Sequence, residues 1–147
     1  AGDACRVAER FDDAVKYYRK ALAVAATGQQ KKRIVNNHKR ARASMAAIRL
    51  FETLDVGKVP DGTFQADSIG YTGLVRIAVT VKGGRITDVR VVQHREKQFY
   101  SAITDTTRKI MAKQGVRGVD ATSSATITSE AIINATAKAL AAAIPSR

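Results

Sequence analysis

Hydroxyl side chains crowd the segment between Val119 and Glu130, directly before an apolar helical pattern. The six serines and threonines are Thr122, Ser123, Ser124, Thr126, Thr128 and Ser129. Two interpretations fit this pattern. Thr128 or Ser129 could cap the predicted helix by accepting hydrogen bonds from its free amides. Alternatively, the hydroxyls and the positive end of the helix could hold an anion such as a phosphate.

Other reactive side chains are too few or too scattered for a familiar catalytic or metal site. The single Cys5 excludes an internal disulfide framework and a two-cysteine redox pair. His38 and His94 lie far apart in the sequence without cysteine partners, so a structural zinc site is not expected. The sequence also lacks the glycine-rich nucleotide motifs, the zinc-protease motif and the serine-hydrolase motif. We therefore expect neither catalytic residues nor metal ligands.

The chain is strongly basic, and its excess charge is concentrated. Its 147 residues carry 25 Lys and Arg against 13 Asp and Glu, a net charge of +12. From Ala14 to Phe51, a segment we call the basic stripe, there is no acidic residue. Its cations are Lys16, Arg19, Lys20, Lys31, Lys32, Arg33, Lys39, Arg40, Arg42 and Arg49. The stripe favours an anionic partner, such as an acidic protein, or is a solvated helix face. Nucleic acid is not expected, because aromatic side chains for base stacking are few.

The composition changes at Pro60, and we place a boundary between residues 58 and 59. Residues 1–58 predict a helical hairpin, and residues 59–147 predict strands followed by helices. The expected helices are Ala8–Ala26 with an interruption near residues 10–12, Gln30–Leu54, Tyr100–Gln114 and Thr128–Ile144. The expected strands are Thr63–Ala66, Leu74–Lys82 and Arg85–His94, the last two joined by Gly83-Gly84. The fold class is α+β: an antiparallel sheet with helices packed on it, preceded by an all-α hairpin.

The segment Asp120-Ala121-Thr122-Ser123-Ser124-Ala125-Thr126 resembles the flavinylation signature of the FMN-binding domain family. That signature is Asp, two variable residues, Ser or Thr, usually Gly, then Ala-Thr. Other stretches between Asp61 and Leu140 resemble the same family. They are Asp61–Phe64, Gly70-Tyr71-Thr72-Gly73, Val79–Val89 and Gln93–Glu96. Ser124 stands where the family usually has Gly, so a positive φ there would strain the backbone.

The resemblance implies a domain that carries FMN through a phosphoester on a threonine. By position, Thr126 would be the attachment residue. The recognition sequence would be Asp120, Ser123, Ser124 and Ala125, and Thr128 and Ser129 would lie at the helix start beside the phosphate. The resemblance also implies a separate Mg-dependent flavin transferase that acts on exported proteins. We therefore expect an extracytoplasmic location. Because the sequence begins at Ala1, we expect a preceding segment that could carry an export signal or a membrane anchor.

Secondary candidates for flavin contact follow from the same resemblance. Gly70, Tyr71, Thr72 and Gly73 would form a wall beside the isoalloxazine ring, although Tyr71 could instead pack on the core. His94 and Glu96 would border the ring or the ribityl chain, although both could be ordinary surface residues.

The first helices resemble part of a tetratricopeptide repeat, through Ala8–Leu22 and the upstream Gly2. A lone repeat must pack on something else. Its partner could be the Gln30–Leu54 helix, the second segment or repeats upstream of Ala1, and a generic helical hairpin is the alternative.

Taken together, the sequence predicts an electron carrier with covalent FMN that relays electrons between redox partners. Its partners would be the flavin transferase and an acidic redox protein or membrane redox complex. The alternative is a non-redox adaptor whose FMN-binding-like domain carries no flavin and whose basic helices dock a partner.

Overall fold

The computed structural model describes residues 1–97 and 100–145. Residues 146–147, which end the second predicted segment, and residues 98–99 lie outside these ranges. The element order is α1 (Gly2–Val7), α2 (Phe11–Leu22), α3 (Lys31–Thr53), β1 (Gly62–Ile69), β2 (Leu74–Lys82), β3 (Arg85–Gln93), α4 (Ser101–Lys113) and α5 (Thr126–Ala143). This is the predicted α+β arrangement.

The sheet is an antiparallel meander in the order β1-β2-β3. Alternation of apolar and polar residues predicts β2 with its observed ends. Val75, Ile77, Val79 and Val81 are all at most 1% exposed. Gly83 and Gly84 have φ of +60° and +71°, the left-handed conformation that a two-residue hairpin needs. β1 is longer than expected, because it pairs with β2 along its whole length from Gly62 to Ile69.

Helix α5 lies at the centre of the molecule. It packs on β1 and β2, and also on α3 and α4. The sequence predicts one buried stripe through Ile133, Ala137, Leu140 and Ile144. In the structure α5 is buried on nearly all sides, and Ile132, Ala135 and Thr136 are also fully buried. A helix that is apolar around most of its circumference suits such a position.

The N-terminal helices share one continuous core with the sheet and α5. The predicted helix Ala8–Ala26 corresponds to α2, which is shorter than predicted at both ends. The break falls at residues 8–10, where Glu9 has a φ of +57°, and α2 ends at Leu22. Gly2 lies against the ring of Tyr18, with no room for a Cβ, so α1 and α2 approach closely. Besides α1, helix α2 packs on α3, the observed form of the predicted Gln30–Leu54 helix. The tetratricopeptide resemblance and the boundary at residues 58–59 stay predictions.

Arg6 fastens α1 to α5 inside this core. Its Nη2 lies 2.5 Å from Oε1 of Glu130 and donates to the carbonyl of Val119 at 3.0 Å. Arg6 is 1% exposed and Glu130 is 6% exposed. Burial raises the pKa of Glu130 to about 7, although the Arg6 guanidinium opposes that rise.

Candidate functional site

Helix α5 begins two residues earlier than the sequence predicts, at Thr126. Its N-cap residue is Ala125, and among the described residues no side chain caps it. The prediction that Thr128 or Ser129 caps the helix is therefore wrong. Thr126 is exposed at the first helical position, whereas Thr128 and Ser129 are buried at 2% and 0% exposure. The first turn of α5, with its free amides and the positive end of the helix dipole, therefore begins at the exposed Thr126 without a side-chain cap.

The two buried hydroxyls hold the attachment loop in place. Oγ of Ser129 accepts hydrogen bonds from the amide of Thr122 and from Oγ1 of Thr106, both at 3.1 Å. Thr128 Oγ1 donates to Oε2 of Glu96 at 3.0 Å. Neither hydroxyl is directed to solvent, because each has a partner inside the protein. Their role in this structure is to fix the segment that presents Thr126.

The remaining residues of the signature form an exposed loop before α5. Asp120, Ser123 and Ser124 are exposed, and Ala125 is 4% exposed. The backbone carbonyl of Asp120 accepts from Nζ of Lys109 at 3.3 Å, and the Ala125 amide donates to the carbonyl of Thr122 at 3.0 Å. These contacts close the loop into a turn that ends at the helix. The residues expected to be recognised are thus accessible to another protein, with the exception of Ala125.

Ser124 has a φ of +63°, which lies in the left-handed region. A side chain is disfavoured in that conformation, and glycine is the usual residue there. The position where the family usually has Gly is therefore a position where this fold would favour Gly.

The glycine-rich turn joins β1 to β2 beside the start of α5. It is closed by a hydrogen bond of 2.7 Å from the Gly70 amide to the Gly73 carbonyl. A Cβ at Gly70 would lie 2.8 Å from a methyl carbon of Val75 and would collide with Oε1 of Glu96. Gly70 is therefore required by close packing, and its φ is ordinary.

Glu96 connects the glycine-rich turn to the attachment helix. Its side chain is 5% exposed. Oε1 accepts from the amide of Thr72 at 3.2 Å, and Oε2 accepts from the hydroxyl of Thr128 at 3.0 Å. The Glu96 amide in turn donates to Nδ1 of His94 at 3.1 Å. His94 is half-buried and lies edge-on to Tyr100, with 6.1 Å between the ring centroids. Glu96 therefore holds the glycine-rich turn and the start of α5, and His94 contacts the backbone of Glu96.

A cavity of about 240 Å³ lies between the glycine-rich turn and the start of α5. We call it the attachment cavity, and its lining residues are Tyr71, Ser124, Ala125, Thr126, Ile127 and Thr128. The structure thus brings Tyr71 and Thr126 to one cavity, although they are far apart in sequence. Tyr71 is 61% exposed, so it forms an open wall. The lining omits Asp120, Ser123, Ser129, Gly70, Thr72, Gly73, His94 and Glu96.

Arg40 contacts the glycine-rich turn, and the sequence analysis did not identify it as part of the site. It belongs to the basic stripe on α3, yet its guanidinium donates to the backbone carbonyls of Gly70 and Tyr71 at 3.3 and 3.2 Å. The basic stripe therefore contacts the second segment at the glycine-rich turn. The only sequence signal was the charge of the stripe, which does not distinguish Arg40 from its neighbours.

Comparison with known families assigns the segment of the chain that contains this site. Residues 70–141 match the FMN-binding domain family. The matched segment contains the glycine-rich turn, Glu96, the attachment loop and most of α5. The chain therefore carries an FMN-binding domain, as the sequence resemblance implies.

A more extended similarity is to an uncharacterized protein of Treponema pallidum (strain Nichols). The two are 32% identical over 109 residues, which are 73% of this chain and 30% of that protein. Because this similarity is longer than the 70–141 segment, it also includes residues outside the FMN-binding domain. The chain spans about a third of the length of that relative.

Two features are absent from the part of the chain that the structure describes. Among the described residues, no cluster of three or more His, Cys, Asp or Glu is positioned to hold a metal ion. In residues 1–97 and 100–145, no helix is long and apolar enough to span a membrane.

Proposed function

We propose that this chain is an electron carrier whose FMN is attached through a phosphoester to Thr126. The observation that supports this most is the exposed Thr126 at the uncapped first turn of α5, inside a segment that matches the FMN-binding domain family. Bound FMN would supply the redox chemistry, and the protein would supply position and electrostatics. The phosphodiester keeps one negative charge, and the positive end of α5 would stabilise it.

Attachment requires that Thr126 be reached by another protein. The donor would be a phosphoanhydride of FMN. The Thr126 oxygen would form a bond to the FMN phosphorus and lose its proton, while the bond from that phosphorus to the bridging oxygen breaks and the other phosphate leaves with the bridging oxygen. A separate flavin transferase would catalyse this step. Asp120, Ser123 and Ser124 are exposed around Thr126, so the transferase could recognise them without unfolding the domain. Ala125 is buried and would act by setting the turn.

The attachment cavity suits a tethered flavin better than a freely exchanging one. Pockets that bind whole ligands usually enclose about 300–1,000 Å³. The volume here is about 240 Å³, and the cavity is open at the exposed Tyr71. A covalent bond would keep the cofactor in place without deep burial. We propose that Tyr71 lies beside the isoalloxazine ring, and that Glu96 and His94 support the turn that carries Tyr71.

The proposed setting is extracytoplasmic, where the transferase would act on exported proteins. The redox partner would be an acidic protein or a membrane redox complex, attracted by the basic stripe. Lys31, Lys32 and Arg33 are exposed at the start of α3, so they are available for such a partner. Net charge of +12 supports steering of this kind.

A second candidate function is a flavin-free adaptor. The observation that favours it is Ser124 in the left-handed region, because strain there could distort the recognised loop. Co-expression with a flavin transferase distinguishes the two functions. The carrier gains the mass of one FMN less one water and stays yellow after denaturation, whereas the adaptor stays at its unmodified mass.

A further inference from the structure

Arg40 joins the N-terminal helices to the turn that carries Tyr71. Its Nε donates to the Gly70 carbonyl at 3.3 Å, and its Nη2 donates to the Tyr71 carbonyl at 3.2 Å. The guanidinium carbon also lies 5.9 Å from the centroid of the Tyr71 ring. This distance is within the range of a cation–π contact. One side chain therefore holds both the backbone and the ring of Tyr71.

The Arg40 side chain is itself held in position. Its Nη1 donates to Oδ1 of Asn37, one turn earlier on α3, at 3.0 Å. Burial lowers the pKa of Arg40, and the nearby Glu96 carboxylate opposes this effect. The group remains charged, because an arginine in a protein is not deprotonated near neutral pH. A partly desolvated charge interacts with its surroundings more strongly than a fully solvated one.

Arg40 also lines a cavity that shares one residue with the attachment cavity. It lines a cavity of about 260 Å³ between the N-terminal helices and α5, together with Ile127 and Glu130. Ile127 is shared with the attachment cavity, which contains Tyr71 and Thr126. The Arg40 guanidinium is therefore adjacent to Tyr71, which lines the cavity where a flavin tethered to Thr126 would lie.

We propose that Arg40 is a positioning residue for the flavin, supplied by the helices outside the matched FMN-binding domain. It would order Tyr71 and place a positive charge near the isoalloxazine ring. Reduction adds negative charge to that ring, so a nearby cation stabilises the reduced form and raises the reduction potential. This inference rests on the proposed attachment of FMN to Thr126.

The test compares three variants of α3 in the full chain. Arg40→Gln removes the charge and most of the contacts, and Arg40→Lys keeps the charge without the planar fork of donors. Arg42→Gln is the control, because Arg42 is exposed on the same helix and its loss changes the net charge equally. Two quantities are measured. They are the reduction potential of the flavinylated proteins and the hydrogen exchange of the Gly70 and Thr72 amides in the flavin-free proteins.

We expect Arg40→Gln to have a more negative potential than both wild type and Arg42→Gln. Its Gly70 and Thr72 amides should exchange about fivefold faster or more, since the turn loses the two hydrogen bonds from Arg40. Arg40→Lys should have a reduction potential close to that of wild type, but its Gly70 and Thr72 amides should exchange faster. This variant therefore separates the effect of the charge from the effect of the positioning contacts. Equal shifts of potential in Arg40→Gln and Arg42→Gln would overturn the inference. Unchanged exchange in Arg40→Gln would overturn it as well.

Failure of this inference differs from failure of the proposed function. Wild-type protein that gains no FMN mass contradicts the proposed function. Hydrogen exchange needs no flavin, so unchanged amides at Gly70 and Thr72 contradict the role of Arg40 whatever the mass shows.

Discussion

The carboxylate of Glu96 accepts a hydrogen bond of 3.0 Å from the hydroxyl of Thr128, and both groups are buried. The other Glu96 oxygen accepts from the amide of Thr72 at 3.2 Å. A single side chain at the end of the sheet thus sets the distance between the glycine-rich turn and the start of α5. Residues on both sides of that gap line the attachment cavity.

Replacing Glu96 by Ala should destabilise the fold at this junction. The amide of Thr72 and the hydroxyl of Thr128 would lose their acceptor, and the buried Thr128 hydroxyl left without a partner would cost about 1–3 kcal/mol. We expect the free energy of unfolding, measured with urea, to fall by about 2 kcal/mol or more. Glu96→Gln keeps one acceptor oxygen and should lose less. Equal stability of the Ala and Gln variants would show that these hydrogen bonds do not hold the junction.

Ser124→Gly should stabilise the chain and leave flavin occupancy equal or higher. The φ of +63° suits glycine, and release of that strain is expected to contribute about 0.5–1 kcal/mol. Ser123→Gly is the matched control for stability, because Ser123 is the exposed neighbour outside the left-handed region. Urea unfolding and intact mass after co-expression with the transferase measure the two effects. A sharp fall in occupancy for Ser124→Gly would reveal a contact of the Ser124 hydroxyl with the transferase or the flavin.

Glu130 should make stability decrease as pH rises through the weakly acidic range. Burial raises its pKa from 4.5 to about 7, so the folded state binds a proton that the unfolded state has already lost. The stabilisation that comes from this bound proton is complete below about pH 4.5 and is lost as pH approaches about 7. Unfolding of wild type and Glu130→Gln, compared from pH 4.5 to 7.5, isolates this group, with an expected difference of about 1–3 kcal/mol across the window. A difference independent of pH would contradict the raised pKa.

Short-range sequence patterns predicted some element ends correctly and others incorrectly. Strand β2 and the Gly83-Gly84 hairpin were predictable with their ends, because alternation and turn residues act over a few positions. The start of α5 was predicted two residues late. Thr128 and Ser129 have the side chains of helix caps, but their hydroxyls bond to Glu96 and to Thr106 and Thr122.

The long-range contacts of the site could not be read from the sequence. Arg40 meets Gly70 across 30 residues, and Arg6 meets Glu130 across 124. Nothing in the spacing of either pair distinguishes it from the many other arginines and acids of the chain. The signature around Thr126 was accessible through resemblance to a family, whereas the supporting contacts of Glu96 and Thr106 are identified only in the folded structure.

The basic stripe should accelerate electron transfer to an acidic partner. Reversal of Lys31, Lys32 and Arg33 to Glu should slow the transfer at low salt, and the difference from wild type should shrink as salt rises, because screening acts within about 8 Å at physiological ionic strength. Flavin content and spectrum should not change. The control is reversal of the exposed Lys58, Lys82 and Arg85, which gives the same net charge at the hairpin end of the sheet. A transfer rate that is indifferent to both the stripe variant and salt would mean that the stripe is a solvated face.

The attachment of FMN to Thr126 is tested most directly by intact mass and peptide mapping after co-expression with a flavin transferase. We predict that wild type gains the mass of one FMN less one water, on the peptide that contains Thr126, and that Thr126→Val gains none while keeping its fold. Thr126 is exposed, so its loss should leave the core intact. Flavin on Thr122 or Thr128, flavin retained by Thr126→Val, or an unmodified wild-type mass would contradict the account.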